Sequence, residues 1–251
     1  MNEDYLIDYL RQYNSVKEDL SYWNKDQQIR ALMNITMPYD LSEEFYAKQD
    51  EYLQGLLKTK RVTDVLDLPF HNQIAVYRSD ITLLKADAIM NACNSQMLGC
   101  FVPLHGCIDN AIHSAAGLEV RRDLLQVMTK QGKEEPNGQV KVTPGYNLPS
   151  KYIFHTVGPI VEGGFVTSGN RKDLENCYLS CLRKADAMGL KTLVFCSIST
   201  GIYGYPIKKA AEVAVKTTEK YMQETGSELL IVFDVFSERD EEIYENGLRR
   251  D

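Results

Sequence analysis

From about residue 72 onward, short apolar segments typical of strands alternate with longer segments of helical periodicity. The predicted strands cover residues 73–78, 86–90, 139–143, 151–157, 193–196 and 229–236. The predicted helices cover residues 108–116, 120–130, 173–188 and 206–224, and a last helix begins at Glu238. Chains with this alternation fold as layered α/β proteins, in which helices cover a largely parallel or mixed sheet. We therefore expect an α/β fold for this part of the chain.

The first seventy residues have a different pattern, which predicts helices only. Ser15 and Glu18 have the spacing of a capping box, which predicts a helix over residues 16–30 with Ser15 as its cap. Ser42 is a candidate cap for a second helix, whose apolar residues repeat with a period near 3.6. We therefore divide the chain into a helical N-terminal extension, residues 1–70, and an α/β domain, residues 71–251.

The charge balance and the apolar segments exclude some classes of partner. Asp and Glu total 35 against 28 Lys and Arg, which gives a net charge of −7. Proteins that coat nucleic acids depend on an excess of cationic side chains, so we expect no nucleic-acid partner. No apolar run approaches the roughly 18 residues of a membrane span, and the N-terminal residues are acidic rather than signal-like. We therefore expect a cytoplasmic protein with no membrane partner.

The sequence lacks the motifs of several common nucleotide-binding and hydrolytic folds. It contains no G-x-G-x-x-G, G-x-x-x-x-G-K-[ST], H-E-x-x-H, C-x-x-C or G-x-S-x-G motif. It does contain an apolar strand that leads through small residues to Pro206, the first position of a predicted helix. Such a loop can direct backbone N–H groups at a phosphate, and its glycines allow close approach. An ordinary strand–helix connection is the alternative.

Several segments have the residues of a known family, in the same order. They are S-D-I-T at 79–82, N-A-C-N at 91–94, I-D-N-A-I-H-S-A-A-G at 108–117, T-P-G-Y at 143–146, H-T-V-G-P at 155–159 and S-I-S-T-G-I-Y-G-Y-P at 197–206. They resemble the motifs of the macrodomain family over roughly residues 73–248. Ser79 and Asn110 stand where the family has Gly, and Cys93 where it has Ala. The resemblance implies a three-layer α/β/α sandwich with a mixed sheet that binds ADP-ribose, which many members hydrolyse from modified proteins.

The segment G-C-F-V-P-L-H-G-C at 99–107 departs from the glycine run of most macrodomains. It is similar to the zinc-dependent microbial branch, which also has a helical N-terminal extension. Pro103 disfavours a helix, and His105 and Cys107 point the same way in an extended chain; a preceding turn would return Cys100 to them. Two thiolates and an imidazole suit Zn²⁺ and leave a fourth position open, as in catalytic sites. Two buried thiols and a loop histidine are the alternative.

The resemblance also implies roles for individual residues. Asp80 would accept the adenine amino group beside the Ile81 backbone, and Phe236 would lie against the adenine unless it is a core residue at the strand end. Backbone donors of one loop would bind the pyrophosphate, namely those of Ser199, Thr200, Gly201, Ile202 and Tyr203. Asn94 and Asp109 would hold or activate groups at the distal ribose, and are the predicted catalytic residues.

The remaining cysteines and histidines have simpler interpretations. Cys177 and Cys181 lie four residues apart in a helical pattern, which is typical of two buried core thiols. We expect His113 to pack within its helix. His155 is expected to be a strand residue whose ring makes hydrogen bonds inside the domain.

The predicted function is the zinc-dependent removal of mono-ADP-ribose from protein side chains, with an ester linkage to Asp or Glu. Zn²⁺ would orient the ribose, or polarise a water or an acyl oxygen. By resemblance, the substrate would be a lipoyl-carrier protein modified by a sirtuin-type transferase. Two alternatives stay open: a non-catalytic ADP-ribose-binding module in which zinc braces the loop, and an esterase of small O-acyl-ADP-ribose metabolites. The open metal position and Asp109 favour a catalyst over a binding module.

Overall fold

The structure, a computed structural model, describes residues 2–249. Met1 and residues 250–251, the ends of the two predicted parts, lie outside the described residues. A mixed sheet of six strands has the order β2-β8-β7-β4-β6-β5. Its strands are β2 (Ile74–Arg78), β4 (Ala88–Cys93), β5 (Val140–Pro144), β6 (Tyr152–Val157), β7 (Thr192–Phe195) and β8 (Leu230–Val235). All neighbours pair in parallel except β5 with β6.

Two short strands and three 3₁₀ helices complete the connections. β1 (Thr63–Asp64) pairs in parallel with β3 (Leu84–Lys85). The 3₁₀ helices are Val65–Asp67, Ile81–Leu83 and Glu162–Gly164. All four residues of β7 are buried, and β4 and β8 are buried except at one residue each, as is typical of parallel strands with helices on both faces.

Over residues 71–249, the α/β domain contains five α-helices, which are interspersed with its strands. They are α4 (Ile108–Ala116), α5 (Leu118–Gln131), α6 (Ser168–Ala187), α7 (Ile207–Thr225) and α8 (Glu238–Leu248). Helix α6 packs against α7 and α7 against α8, whereas α4 contacts β4 and α5. The expected three-layer α/β/α sandwich with a mixed sheet is therefore confirmed. Helix α6 begins five residues before the predicted start at Asp173, because Thr167 and Asn170 form a capping box.

The N-terminal extension contains three α-helices within residues 2–70, the part of it that the structure describes. They are α1 (Asn2–Tyr13), α2 (Lys25–Ile35) and α3 (Glu43–Lys58). The predicted helix over residues 16–30 was wrong in its first half, because residues 16–24 are not helical. Ser15 has a left-handed φ of 56°, whereas an N-cap residue has extended dihedral angles. Asn24 and Gln27 instead form a capping box at the start of α2. Ser42 caps α3, as the sequence predicted.

The three N-terminal helices have an apolar core of their own. Its buried residues include Leu6, Leu10, Ile29, Leu32, Phe45 and Leu53. Leu118, the first residue of α5, packs into the same core, so the extension lies directly against the α/β domain. Between Asn2 and Arg249, the structure contains no helix that is both long and apolar enough to cross a membrane.

Candidate active site

A cavity of about 870 Å³ opens at the carboxyl ends of the parallel strands, which is where open α/β sheets bind their ligands. All the residues that the resemblance assigned to ADP-ribose or metal line it: Asp80, Ile81, Asn94, Cys100, His105, Cys107, Asp109, Ser199, Thr200, Gly201, Ile202, Tyr203 and Phe236. Loops that are far apart in the sequence therefore meet at one edge of the sheet. Which part of a ligand each residue contacts stays a prediction.

Asp80 and Phe236 follow the paired strands β2 and β8, and both line the cavity. Asp80 caps the 3₁₀ helix Ile81–Leu83, and its Oδ1 accepts hydrogen bonds from the N–H of Thr82 over 3.0 Å and from its hydroxyl over 2.6 Å. Both bonds use the same oxygen, which orients the carboxylate. Phe236 is 93% exposed, so it is not a core residue at the strand end. A flat ring at a cavity edge is suited to contact with a planar base.

Asp234 of β8 is a cavity residue that was not predicted from the sequence. It is only 6% exposed and lines the cavity, and the Ser79 hydroxyl donates to its Oδ1 over 2.5 Å. Burial, reinforced by the nearby charge of Asp80, raises the pKa of Asp234 to about 8. A carboxyl group inside an otherwise apolar strand was the signal in the sequence that marked this position.

The loop between β7 and α7 is held in a compact turn by its own backbone. The N–H of Gly204 donates to Gly201 O over 3.0 Å, and the N–H of Tyr205 donates to Ser199 O over 2.9 Å. A Cβ atom at Gly158 would lie 2.2 Å from Ser199 Oγ, so a glycine is required where the loop after β6 approaches. The loop leads into the N-terminus of α7, whose N–H groups and dipole favour an anionic ligand.

Asp109 lies in the first turn of α4 and is buried. Asn91 Nδ2 donates to its Oδ1 over 2.8 Å, and His113 Nε2 lies 3.4 Å from the same oxygen. Burial raises the pKa of Asp109 to about 6 and lowers that of His113, so His113 is neutral and the contact is not an ion pair. His155 Nδ1 lies 3.2 Å from Asn91 Nδ2 and its Nε2 lies 3.0 Å from Thr143 Oγ1, which confirms the expected hydrogen-bonded ring.

Asn94 closes the turn that leaves β4. Its Oδ1 accepts from the N–H of Gln96 over 3.0 Å, and its Nδ2 donates to Gly99 O over 3.1 Å. The side chain therefore shapes the turn, which the sequence analysis did not foresee. Its contact with a distal ribose stays a prediction.

The side chains of the three candidate metal ligands lie close together. One ligand atom from each of Cys100, His105 and Cys107 lies within 4.8 Å of the others, a spacing that one tetrahedral ion can bridge. His105 Nδ1 is buried and has no hydrogen-bond partner among residues 2–249. Burial, with the adjacent Cys100, raises the pKa of Cys107 to about 11, so a cation is needed to hold that sulfur as thiolate near neutral pH. The donor set therefore fits Zn²⁺.

The three-layer sandwich, with its cavity at the carboxyl ends of the parallel strands, is the architecture of a macrodomain-type protein. The sequence comparison agrees. The Macro domain family model matches residues 90–214. A protein from Treponema medium named protein-ADP-ribose hydrolase is 44% identical over 249 residues, which cover 96% of this chain and 95% of that protein. The chain belongs to the Macro domain family.

Solved structures of macrodomains are also similar to this chain, and two of them illustrate the match. The Oceanobacillus iheyensis macrodomain with ADP is 38% identical, has a TM-score of 0.64, and the match covers 69% of this chain and 88% of that one. The Trypanosoma brucei macrodomain in complex with ADP-ribose is 30% identical, has a TM-score of 0.66, and the match covers 87% of this chain and 94% of that one.

Proposed function

We propose that this chain is a zinc-dependent hydrolase that removes mono-ADP-ribose from protein side chains, with the ribose ester-linked to Asp or Glu. The observation that carries the proposal is that Asp109 and the Cys-His-Cys cluster line the same cavity as the macrodomain binding motifs. The Treponema medium relative, a protein-ADP-ribose hydrolase by name, matches nearly the whole chain. Its name supports hydrolysis, and the metal ligands support zinc dependence.

The cavity suggests one orientation for the ligand. The adenine would lie between Asp80 and Phe236, and the pyrophosphate would receive backbone N–H groups of the β7–α7 loop. The distal ribose would then reach Asn94 and Asp109, beside the candidate metal ligands. This order places the bond to the protein side chain at the metal end of the cavity.

Asp109 would act on the reacting end of the ligand. Because Asn91 donates to Oδ1, the carboxylate is fixed in direction and Oδ2 is left to accept a proton from water or from a ribose hydroxyl. Cys100, His105 and Cys107 would hold the metal. Bound Zn²⁺ supplies a Lewis acid for a substrate oxygen or a water.

The proposed substrate is a lipoyl-carrier protein modified by a sirtuin-type transferase, and the proposed location is the cytoplasm. The substrate rests on the resemblance of residues 99–107 to the zinc-dependent branch of the family. Hydrolysis of small O-acyl-ADP-ribose esters would use the same groups, so such an ester is included as a further substrate in the experiment below.

The test is incubation with proteins mono-ADP-ribosylated at defined Asp, Glu, Ser or Arg residues, with and without chelator, while free ADP-ribose is measured. We expect release from Asp and Glu that chelator abolishes and added Zn²⁺ restores. Binding of ADP-ribose with no release from any substrate would identify a binding module. Release from O-acyl-ADP-ribose alone would identify the small-molecule esterase, and release that chelator leaves unchanged would exclude the role of zinc.

A further inference from the structure

We infer that helix α2 of the N-terminal extension is part of the metal site. Its residues Arg30 and Asn34 are positioning residues that hold the metal loop, residues 98–107, in the shape that brings the three ligands together. This inference rests on the proposed zinc site. It assigns a function to the N-terminal extension, whose three helices pack mainly against one another.

Arg30 holds the loop both directly and through Asn110. Its Nη2 donates to His105 O over 3.2 Å, and the same nitrogen donates to Asn110 Oδ1 over 2.8 Å, with Nε at 3.2 Å. Asn110 in turn donates from Nδ2 to Val102 O over 3.0 Å. The asparagine that replaces the family's Gly therefore fastens the loop, and the guanidinium fixes the orientation of its amide.

Asn34 holds the backbone just before His105. It is 2% exposed, its Oδ1 accepts from the N–H of Leu104 over 2.9 Å, and its Nδ2 donates to Ser114 Oγ over 3.0 Å. Leu104 has a left-handed φ of 56°, which a leucine adopts only where its surroundings stabilise it. The hydrogen bond that Leu104 N–H donates to Asn34 stabilises this conformation, and so sets the direction in which the next residue, His105, presents its ring.

Arg121 of α5 connects the end of α2 to the start of the loop. Its Nη1 donates to the carbonyls of Met33 (3.0 Å), Asn34 (2.9 Å) and Thr36 (2.6 Å), and its Nε donates to Leu98 O over 2.6 Å. The guanidinium also lies 4.3 Å from the centre of the Phe101 ring. A buried cation that binds the last carbonyls of α2 favours that helix end. Loop and extension thus share one hydrogen-bonded cation.

The metal loop needs this outside support because it lacks helix and strand over residues 98–107. Ordering such a segment costs conformational entropy, and a site that is already ordered binds its ion more tightly than one that must fold around it. Groups outside the ligand set commonly orient the ligands in metal sites. Hydrogen bonds between α2 and the backbone of Leu104 and His105 are suited to this task.

The test measures metal binding by the full-length Arg30→Ala and Asn34→Ala variants. We expect Zn²⁺ affinity, from competition with a chromophoric chelator, to fall at least about tenfold in each. The Co²⁺-substituted variants should show altered d–d and thiolate charge-transfer bands, because the ligand geometry relaxes. Arg30→Lys should restore part of the affinity, since lysine keeps a cation but not the forked contact.

Arg11→Ala is the matched control. Arg11 lies in α1, and its guanidinium donates to Glu18 O within the extension, so this variant should keep the wild-type affinity and Co²⁺ spectrum. Folding is checked by near-ultraviolet circular dichroism, and ADP-ribose affinity by calorimetry. Folded Arg30 and Asn34 variants that bind Zn²⁺ and Co²⁺ as the wild type does would overturn this inference alone. A wild type that binds neither metal would overturn both the zinc site and the role of α2.

Discussion

The Asn91 side chain donates to Asp109 Oδ1 over 2.8 Å, with both side chains shielded from solvent. The bond joins a central strand, β4, to the first turn of α4, so the sheet itself sets the direction of the carboxylate. Asp109 also lines the cavity. A buried acceptor held at one oxygen by a neutral amide keeps its other oxygen available, which is the arrangement that a positioned base requires.

Replacing Asp80 should weaken ADP-ribose binding. In Asp80→Ala the adenine amino group would lose its acceptor in a desolvated site, and we expect a loss of about 1–3 kcal/mol in binding free energy. Isothermal titration calorimetry with ADP-ribose measures it. Asp64 provides the matched control, because it caps the 3₁₀ helix Val65–Asp67 in the way that Asp80 caps Ile81–Leu83, outside the cavity. Equal affinity in Asp80→Ala and wild type would remove Asp80 from ligand recognition.

The purified protein should carry about one Zn²⁺ per chain when prepared without chelator. The double variant Cys100→Ser, Cys107→Ser should lose the metal and stay folded, because the apolar core consists of strands and helices outside this loop. Metal analysis and circular dichroism check both outcomes. Replacing the buried pair Cys177 and Cys181 by Ala should lower stability and leave the metal content unchanged. A metal-free wild type would contradict the prediction.

Folding stability should depend on pH through Asp234. Its pKa is raised to about 8 in the folded chain, against about 3.9 in an unfolded one. Between these values the folded chain binds more protons than the unfolded chain. The contribution of Asp234 to the free energy of unfolding is therefore fully present below about pH 4 and is lost as the pH rises towards 8, with a limiting slope of about 1.4 kcal/mol per pH unit. Asp234→Asn removes the titrating group and should flatten this part of the profile.

Urea unfolding of wild type and Asp234→Asn at pH 5 and pH 8 measures this effect. Asparagine keeps the size of the side chain and an oxygen that can accept from the Ser79 hydroxyl. The variant should therefore gain stability relative to wild type at the higher pH. Parallel profiles for the two proteins would show that Asp234 is already ionised in the folded state.

Local patterns predicted much of the fold. The six strands of the large sheet follow short apolar runs, and their bounds differ from the predictions by at most three residues, whereas the two-residue strands β1 and β3 were not predicted. The first residues of the helices were harder to predict than the strands. Ser15, Asn24 and Thr167 are all chemically suitable N-caps, and tertiary packing decides which of them begins a helix. Strand order has no local signature in the sequence, since it pairs β2 with β8 across more than half of the chain.

The residues of the candidate site also fall into two groups, those that could be predicted from the sequence and those that could not. Residues within contiguous motifs, such as Asp80 and the three metal ligands, could be assigned to one cavity from the resemblance. Arg30 and Asn34 could not, because their partners lie 75 and 70 positions away in the sequence and neither residue stands in a motif. Asp234 was missed because a strand pattern weighs apolar residues and passes over one buried carboxyl group.

The last prediction separates a catalyst from a binding module. A metal at an open position stabilises charge that develops only in the transition state, whereas a bracing metal changes ground-state affinity. We therefore expect His105→Ala and Asp109→Ala each to lower turnover at least about a hundredfold, a barrier change of about 2.7 kcal/mol. ADP-ribose affinity should change far less, because the predicted adenine and pyrophosphate contacts are left intact. Single-turnover kinetics and calorimetry measure the two quantities.

Chelator provides the control for this comparison. Removing Zn²⁺ from the wild type should act like His105→Ala, and chelator should cost the His105→Ala variant little more, because the ligand and the metal act as one unit. Asp109→Ala should keep its Zn²⁺, because Asp109 is assigned to the substrate rather than to the metal. Affinity and turnover that fall together in the metal-loop variants would mean that the metal builds the pocket instead. Unchanged turnover in Asp109→Ala would remove this carboxylate from the mechanism.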